Sequence, residues 1–231
     1  MDLIVEGFRQ ALGLLLGADP EIWAILWLSL QISGTATALA LVIGVPAGVV
    51  LALTRFPGRT LLVSGVNAGM GLPPVVVGLF VTILLWRSGP FGGLEILYTP
   101  AAIVIAQAVI ASPIVTGITL AAVQNVPEMF RLQLLGLGAS RHQMVWVVLR
   151  EARLPMLAAV MAGFGGVISE IGASLMVGGN IKGQTRTLTT AMVLETNKGS
   201  FDVAIALAIL LLALVFLVNW ALTSIQQRRA F

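Results

Sequence analysis

The 231-residue sequence has no cysteine, one histidine (His142) and one tyrosine, and Asp, Glu, Lys and Arg together make up only 10% of it. Without cysteine there can be no disulfide, thiolate nucleophile or cysteine-ligated metal. A single histidine leaves metal centres and Ser-His-Asp arrangements short of parts, so no metal site is expected. A soluble domain is about 25% charged, and this chain cannot cover a water-facing globule with ionic groups. That excludes a cytosolic enzyme, a disordered tail and a nucleic-acid-binding module. The 13 Lys+Arg against 10 Asp+Glu leave a net +3, too sparse for a basic patch, and the charges read as marks of membrane topology. What remains is apolar: 58% of residues are hydrophobic and the mean hydropathy is +1.01.

A spanning helix needs about 20 apolar residues. Stretches free of Asp, Glu, Lys and Arg run over 23–54, 60–86, 96–127, 154–181 (interrupted only by Glu170) and 203–227. They predict an all-α polytopic membrane protein in one domain, with spans at about 23–54, 60–86, 96–126, 154–179 and 203–226. Pro46, Pro73, Pro74 and Pro113 supply kinks. In residues 1–19, Leu3, Ile4, Phe8, Leu12 and Leu15 oppose Asp2, Glu6, Arg9 and Gln10, the pattern of an amphipathic helix lying in the interface. Asp2 and Glu6 stand where a signal peptide needs positive charge.

Arg55, Arg59, Arg131, Arg141, Arg150, Arg153, Arg228 and Arg229 fall on one side of this topology, and Arg9, Arg87, Lys182, Arg186 and Lys198 on the other. The excess puts loop 128–153 and the C-terminus in the cytoplasm and the N-terminus outside. Gly44 with Gly48, and Gly65 with Gly69, have the spacing that lets helices approach closely in lipid.

Loop 128–153 is long for a connection inside a bundle and its composition is helical on both sides of Gly136-Leu137-Gly138-Ala139-Ser140-Arg141. Glycine permits a sharp turn and Ser140 can cap the helix that follows. The expected product is helix, turn, helix, suited either to docking into a groove on a partner or to lying on the inner leaflet. Leu-Gly-Ala-Ser-x-x-Gln, from Leu137 to Ser140 and then Gln143, followed by Leu154-Pro155, resembles the cytoplasmic loop of ABC importer permeases. Two departures stand out: Leu132-Gln133-Leu134 replaces the usual Glu-Ala-Ala, and Arg150-Glu151-Ala152-Arg153 adds about one helical turn. Ser169-Glu170-Ile171-Gly172-Ala173 and Gly178-Gly179-Asn180-Ile181 resemble segments of the oxyanion permeases for molybdate, tungstate and sulfate. Together with 70–79 and 194–199, they are most similar to the tungstate branch.

The resemblance implies the type I ABC importer permease fold, with a coupling helix around Leu137, Gly138, Ala139, Ser140, Arg141, Gln143 and Met144. It implies a homodimer in a prokaryotic plasma membrane, two ATPase subunits inside and an extracytoplasmic oxyanion-binding protein outside. No cofactor is expected on this chain, and ATP and Mg would belong to the ATPase. Gly178–Thr185 nearly spells the phosphate-binding loop, but Gln184 stands where its lysine must be.

Glu170 is the one ionisable residue deep in a span, where charge is costly and functional by default. A carboxylate would repel an anionic cargo, so Glu170 is expected to pack or gate, protonated or hydrogen-bonded across helices. Pro73, Pro74, Ser112, Pro113 and Ser174 complete the candidate pathway, although structural kinks alone explain the prolines equally well. Asn180, Lys182, Thr185 and Arg186, with Arg87, form a donor-rich outer surface, either a solvated loop or a binding-protein contact. An autonomous channel or secondary transporter is the competing reading, with Glu170 as its only coupling group. An intramembrane enzyme would need clustered titratable groups, which His142 and Glu170 do not make.

Overall fold

The computed structural model describes residues 5–9, 13, 17 and 20–228. The helices are α1 (Pro20–Leu53), α2 (Arg59–Met70), α3 (Pro74–Leu85), α4 (Pro100–Gln124), α5 (Glu128–Gly136), α6 (Arg141–Glu151), α7 (Arg153–Ile168), α8 (Gly172–Gly178), α9 (Leu188–Asn197) and α10 (Phe201–Arg228). A 3-10 turn covers Gly92–Leu94. No strand occurs among the described residues.

Among the described residues, three helices are each long and apolar enough to cross a membrane: α1, α4, and α10 over Phe201–Ser224. The count becomes five if the α2–α3 and α7–α8 pairs, bent by 103° and 59°, each make one crossing. The packing argues that they do. Val49, Val123, Val126, Val148 and Ala152 form a buried cluster at the end of the bundle that carries α5 and α6. Arg59 Nε donates to Leu51 O there at 2.7 Å, which ties the start of α2 to that end, and Met156 packs on the same cluster at the start of α7. At the opposite end, Leu85 of α3 and Val177 of α8 share a core with Ala102 and Ile103 of α4. Each bent pair therefore runs from one end of the bundle to the other.

The second and fourth expected spans are thus broken helices, and the sequence explains the first break. Pro73 and Pro74 offer no N–H to the carbonyls one turn earlier; Pro74 instead opens α3 at a position that needs none. At the second break no proline intervenes: α7 ends at Ile168, α8 begins at Gly172, and Ile171 lies between them at φ −116° and ψ −51°. By contrast, Pro113 sits inside α4 without ending it. Ser112 Oγ bonds Ala108 O at 2.6 Å and Thr116 Oγ1 bonds Ser112 O at 2.7 Å, so these hydroxyls serve their own helix.

α1 and α4 are the central pair, and glycines let them close. A Cβ on Gly48 would stand 2.7 Å from Thr116 O, and one on Gly44 would stand 2.8 Å from Val115 Cγ1. Gly69 meets Pro113 in the same way, but nothing lies within 4 Å of a Cβ on Gly65. The first glycine pair marks a helix contact at both positions and the second at one.

Most of the expected N-terminal amphipathic helix, including Leu3, Ile4, Gln10, Leu12 and Leu15, lies outside the described residues. Residues 5–9 are helical and Gly7 is buried. A Cβ on Gly7 would collide with the Ile205 side chain of α10. At least this turn is docked on the bundle rather than lying free in the interface.

Candidate functional site

The helical hairpin α5–α6 is built as its sequence prescribes. Gly138 takes φ +87°, a conformation that costs glycine nothing. Ser140 and Gln143 then make a reciprocal capping box: Gln143 N donates to Ser140 Oγ at 3.3 Å, and Ser140 N donates to Gln143 Oε1 at 2.7 Å. Leu137, at the tip, is 86% exposed. Arg141, His142 and Gln143 are exposed, while Ala139 and Met144 are half-buried. The added turn Arg150-Glu151-Ala152-Arg153 extends α6 to Glu151, with a break at Ala152 before α7. The Arg150 guanidinium lies 5.6 Å from the centre of the exposed Trp146 ring. This stacked pair was not singled out from sequence; its signal is an arginine four residues after a tryptophan on one helix.

The two broken spans meet at their breaks. A Cβ on Gly172 would stand 2.6 Å from Val75 Cγ2, and one on Gly78 would stand 2.7 Å from Ala173 Cα. The first turns of α3 and α8 are therefore in backbone-level contact. Gly71, Leu72 and Pro73 are exposed on the α2–α3 side, Pro74 is half-buried, and Ser169 is exposed on the other side.

Glu170 is 9% exposed, but its carboxylate does not reach across helices as expected. Oε1 accepts from Ala173 N at 2.8 Å, within its own segment. The break explains the difference: it frees the amides of α8's first turn, and the nearest carboxylate takes one. The cross-element bond comes from the main chain, where Thr189 Oγ1 donates to Glu170 O at 3.1 Å. Gly163, Gly166, Ala173, Ser174 and Val177, which would share one small-residue face with Glu170 on a continuous helix, are split between two helix axes by the 59° bend.

Ser174 also turns inward, away from any open pathway. It is 1% exposed and accepts from Gln107 Nε2 at 3.3 Å, while Gln107 Oε1 accepts from Ser33 Oγ at 3.3 Å. Gln107, itself 2% exposed, thus joins α1, α4 and α8 through both ends of one amide. Sequence reasoning missed it, although it is the one side-chain amide in residues 96–123.

At the far end of the bundle, Thr185 is a correction. It is 1% exposed, accepting from Ile181 N at 2.9 Å and donating to Gly178 O, so it closes its own loop and presents nothing to a partner. Asn180 adopts φ +53° and donates to Thr190 O at 3.3 Å. Lys182 Nζ lies 2.7 Å from Glu21 Oε2, and the Arg186 guanidinium lies 3.9 Å from Glu21 Oε1. Both cations turn toward the first turn of α1. Arg87 is exposed and lines a cavity of about 530 Å³ with Trp86, Glu95 and Tyr98. Among the described residues, no group of His, Asp or Glu could hold a metal ion.

The family described as "binding-protein-dependent transport system inner membrane component" matches residues 44–231. The chain is 38% identical over 229 residues to the tungstate uptake system permease protein of Peptoclostridium acidaminophilum, covering 98% of this chain and 100% of that one. It is 34% identical to the tungstate uptake system permease protein of Campylobacter jejuni, covering 95% and 92% of the two chains. The molybdenum transport system permease protein of Escherichia coli is 29% identical, over 92% of this chain and 97% of that one. Among solved structures, the MetNI methionine ABC transporter in inward-facing conformations superposes with a TM-score of 0.74 over 91% of this chain and 98% of that chain, at 22% identity; that likeness bears on fold alone. The chain belongs to the binding-protein-dependent transport family, as a multi-pass inner-membrane ABC importer permease of the oxyanion type.

Proposed function

We propose that the chain is the membrane subunit of an ATP-driven tungstate importer. The observation that carries the coupling half of this reading is the α5–α6 hairpin, whose turn is fixed by Gly138 and the Ser140–Gln143 box and whose tip exposes Leu137. A rigid helical projection with an apolar tip suits a groove on a partner better than it suits a passive linker. In this reading Leu137, Gly138, Ala139, Ser140, Arg141, Gln143 and Met144 contact an ATPase subunit, which binds the ATP and Mg; this chain holds neither. In the same reading that end of the bundle faces the cytoplasm, as does the C-terminus, and the N-terminus is outside, an orientation that the distribution of Lys and Arg supports.

The pathway follows the facing breaks, with Pro73, Pro74 and Glu170 as the positions that let half-helices shift. Ser112, Pro113 and Ser174 support their helices from within the bundle. α2 has no buried residue, so the side of the bundle it forms is left for a second copy, and two copies enclose the route on their symmetry axis. A binding protein delivers the anion at the far end, over Arg87 and the exposed part of loop 179–184. Tungstate is preferred because relatives matched over most of both chains carry that name.

The test is purification of the tagged chain from membranes in mild detergent, with metal uptake measured in parallel. The expected result is a stoichiometric ATP-binding subunit that is lost when Gly138 is replaced by Glu, and cellular tungsten that depends on the chain. A chain isolated alone that moves anions without ATP overturns the importer reading. Uptake of molybdate or sulfate in preference to tungstate overturns only the cargo.

A further inference from the structure

Between α1 and the loop before α9 lies a cavity of about 510 Å³, charged at its rim with Gln184 beside the charges, and lined along α1 by mainly apolar side chains down to Gln31. Its charged lining residues are Glu21, Lys182 and Arg186, so two cations face one carboxylate and a single positive charge is left over. Lys182 takes the close contact with Glu21, and Arg186 is left at 3.9 Å, beyond hydrogen-bond length. The Arg186 side chain is only 18% exposed, and its Nε is buried without a hydrogen-bond partner. An under-paired guanidinium at the mouth of an apolar cavity in a membrane span calls for an oxyanion attached to something apolar.

The floor specifies the rest. Ala24, Leu28 and Trp27 of α1 run down from the rim, and Trp27 is 61% exposed. It also lines a second groove, of about 230 Å³ between α1 and α10, whose other lining residues are all apolar and include Trp23 and Leu214. Trp27 is therefore a ridge between two apolar troughs beneath one surplus positive charge. A phosphodiester with two acyl chains matches the charge and the shape, whereas a free inorganic oxyanion would leave the apolar floor without a role.

We propose that this end of α1 holds a phospholipid, its phosphodiester on Lys182 and Arg186 and its chains on either side of Trp27. The site requires only that the chain lie in a bilayer, so it stands whatever the cargo proves to be. The test is native mass spectrometry of the full chain released from mild detergent. One phospholipid per chain is expected to survive in the wild type. In the Lys182→Ala/Arg186→Ala double variant its retained fraction is expected to fall about tenfold, the loss of a charge-assisted contact. Trp27→Ala, on the exposed surface and harmless to the core, is expected to lower retention while Arg186→Lys and the control Arg55→Ala, exposed at the other end of the bundle, preserve it. Monodispersity on size exclusion checks folding. Retention unchanged in both the double variant and Trp27→Ala overturns the proposal. So does a retained mass of inorganic anion, or displacement of the lipid by millimolar tungstate or phosphate, either of which would make this a free-oxyanion site.

Discussion

The carboxylate of Glu170 and the amide of Ala173 are 2.8 Å apart, so the one ionisable side chain deep in a span closes the start of a half-helix. Glutamine keeps an acceptor oxygen and alanine does not. Glu170→Gln is expected to retain assembly, stability and transport. Glu170→Ala is expected to lose about 1 kcal/mol of stability, the usual cost of an empty cap, read as a lower melting temperature in detergent. Abolition of transport by Glu170→Gln in an intact complex would give the carboxylate itself a direct part in moving the cargo, beyond closing the half-helix.

Gln107 bonds Ser33 through its oxygen and Ser174 through its nitrogen. Gln107→Leu is expected to cost about 1 kcal/mol, given roughly 0.6 for each interhelical hydrogen bond in membrane proteins. Because both serines lose their partner together, adding Ser33→Ala and Ser174→Ala to Gln107→Leu should cost less than the sum of the separate changes. A double-mutant cycle on thermal stability checks this; strict additivity would mean that the three side chains do not act as one network.

The parts of this arrangement that were legible in the sequence are those governed by local chemistry. Charge-free runs locate the apolar helices because the cost of charge in lipid is independent of tertiary detail. Gly138 and Ser140 announce their turn and cap because both act on their own backbone. The direction of Glu170 was not legible, since a periodic stripe assumes a continuous helix and the break at 169–171 redirects every side chain after it. Thr185 was misread for a related reason: a hydroxyl in a polar loop looks like a donor for a partner, and only the fold shows it already used by Ile181 and Gly178. Gln107 was passed over because its partners lie 74 and 67 residues away in the chain.

The capping box at the head of α6 gives a local test of the coupling hairpin. Ser140→Ala removes the acceptor for Gln143 N, and Gln143→Ala removes the acceptor for Ser140 N. Each is expected to destabilise the first turn of α6 by about 1 kcal/mol, seen as faster amide exchange over residues 141–144 with the spans unchanged. The same variants should weaken copurification of an ATPase subunit, because a frayed turn presents Leu137 in many orientations. Faster exchange without weaker association would place the docking contacts away from this turn.

Two glycines on the two halves of one broken span separate close packing from mere helical composition. A Cβ on Gly78 would come within 2.7 Å of Ala173 Cα, a backbone atom that no rotamer change can move aside. On Gly65 the same atom would meet nothing within 4 Å. Gly78→Ala is therefore expected to push α3 off α8 and to lower both the yield and the melting temperature of the purified protein, at a cost of about 1–3 kcal/mol, as for other overpacked cores. Gly65→Ala should be neutral or stabilising by up to about 1 kcal/mol, since alanine is the better helix former. Larger residues sharpen the contrast, because Gly65→Leu meets open space in a single copy but would meet a neighbour if α2 lies at a seam between two copies. A Gly65→Leu protein that keeps its fold but elutes as a monomer would place the second copy against α2, whereas an intact dimer would move the seam elsewhere.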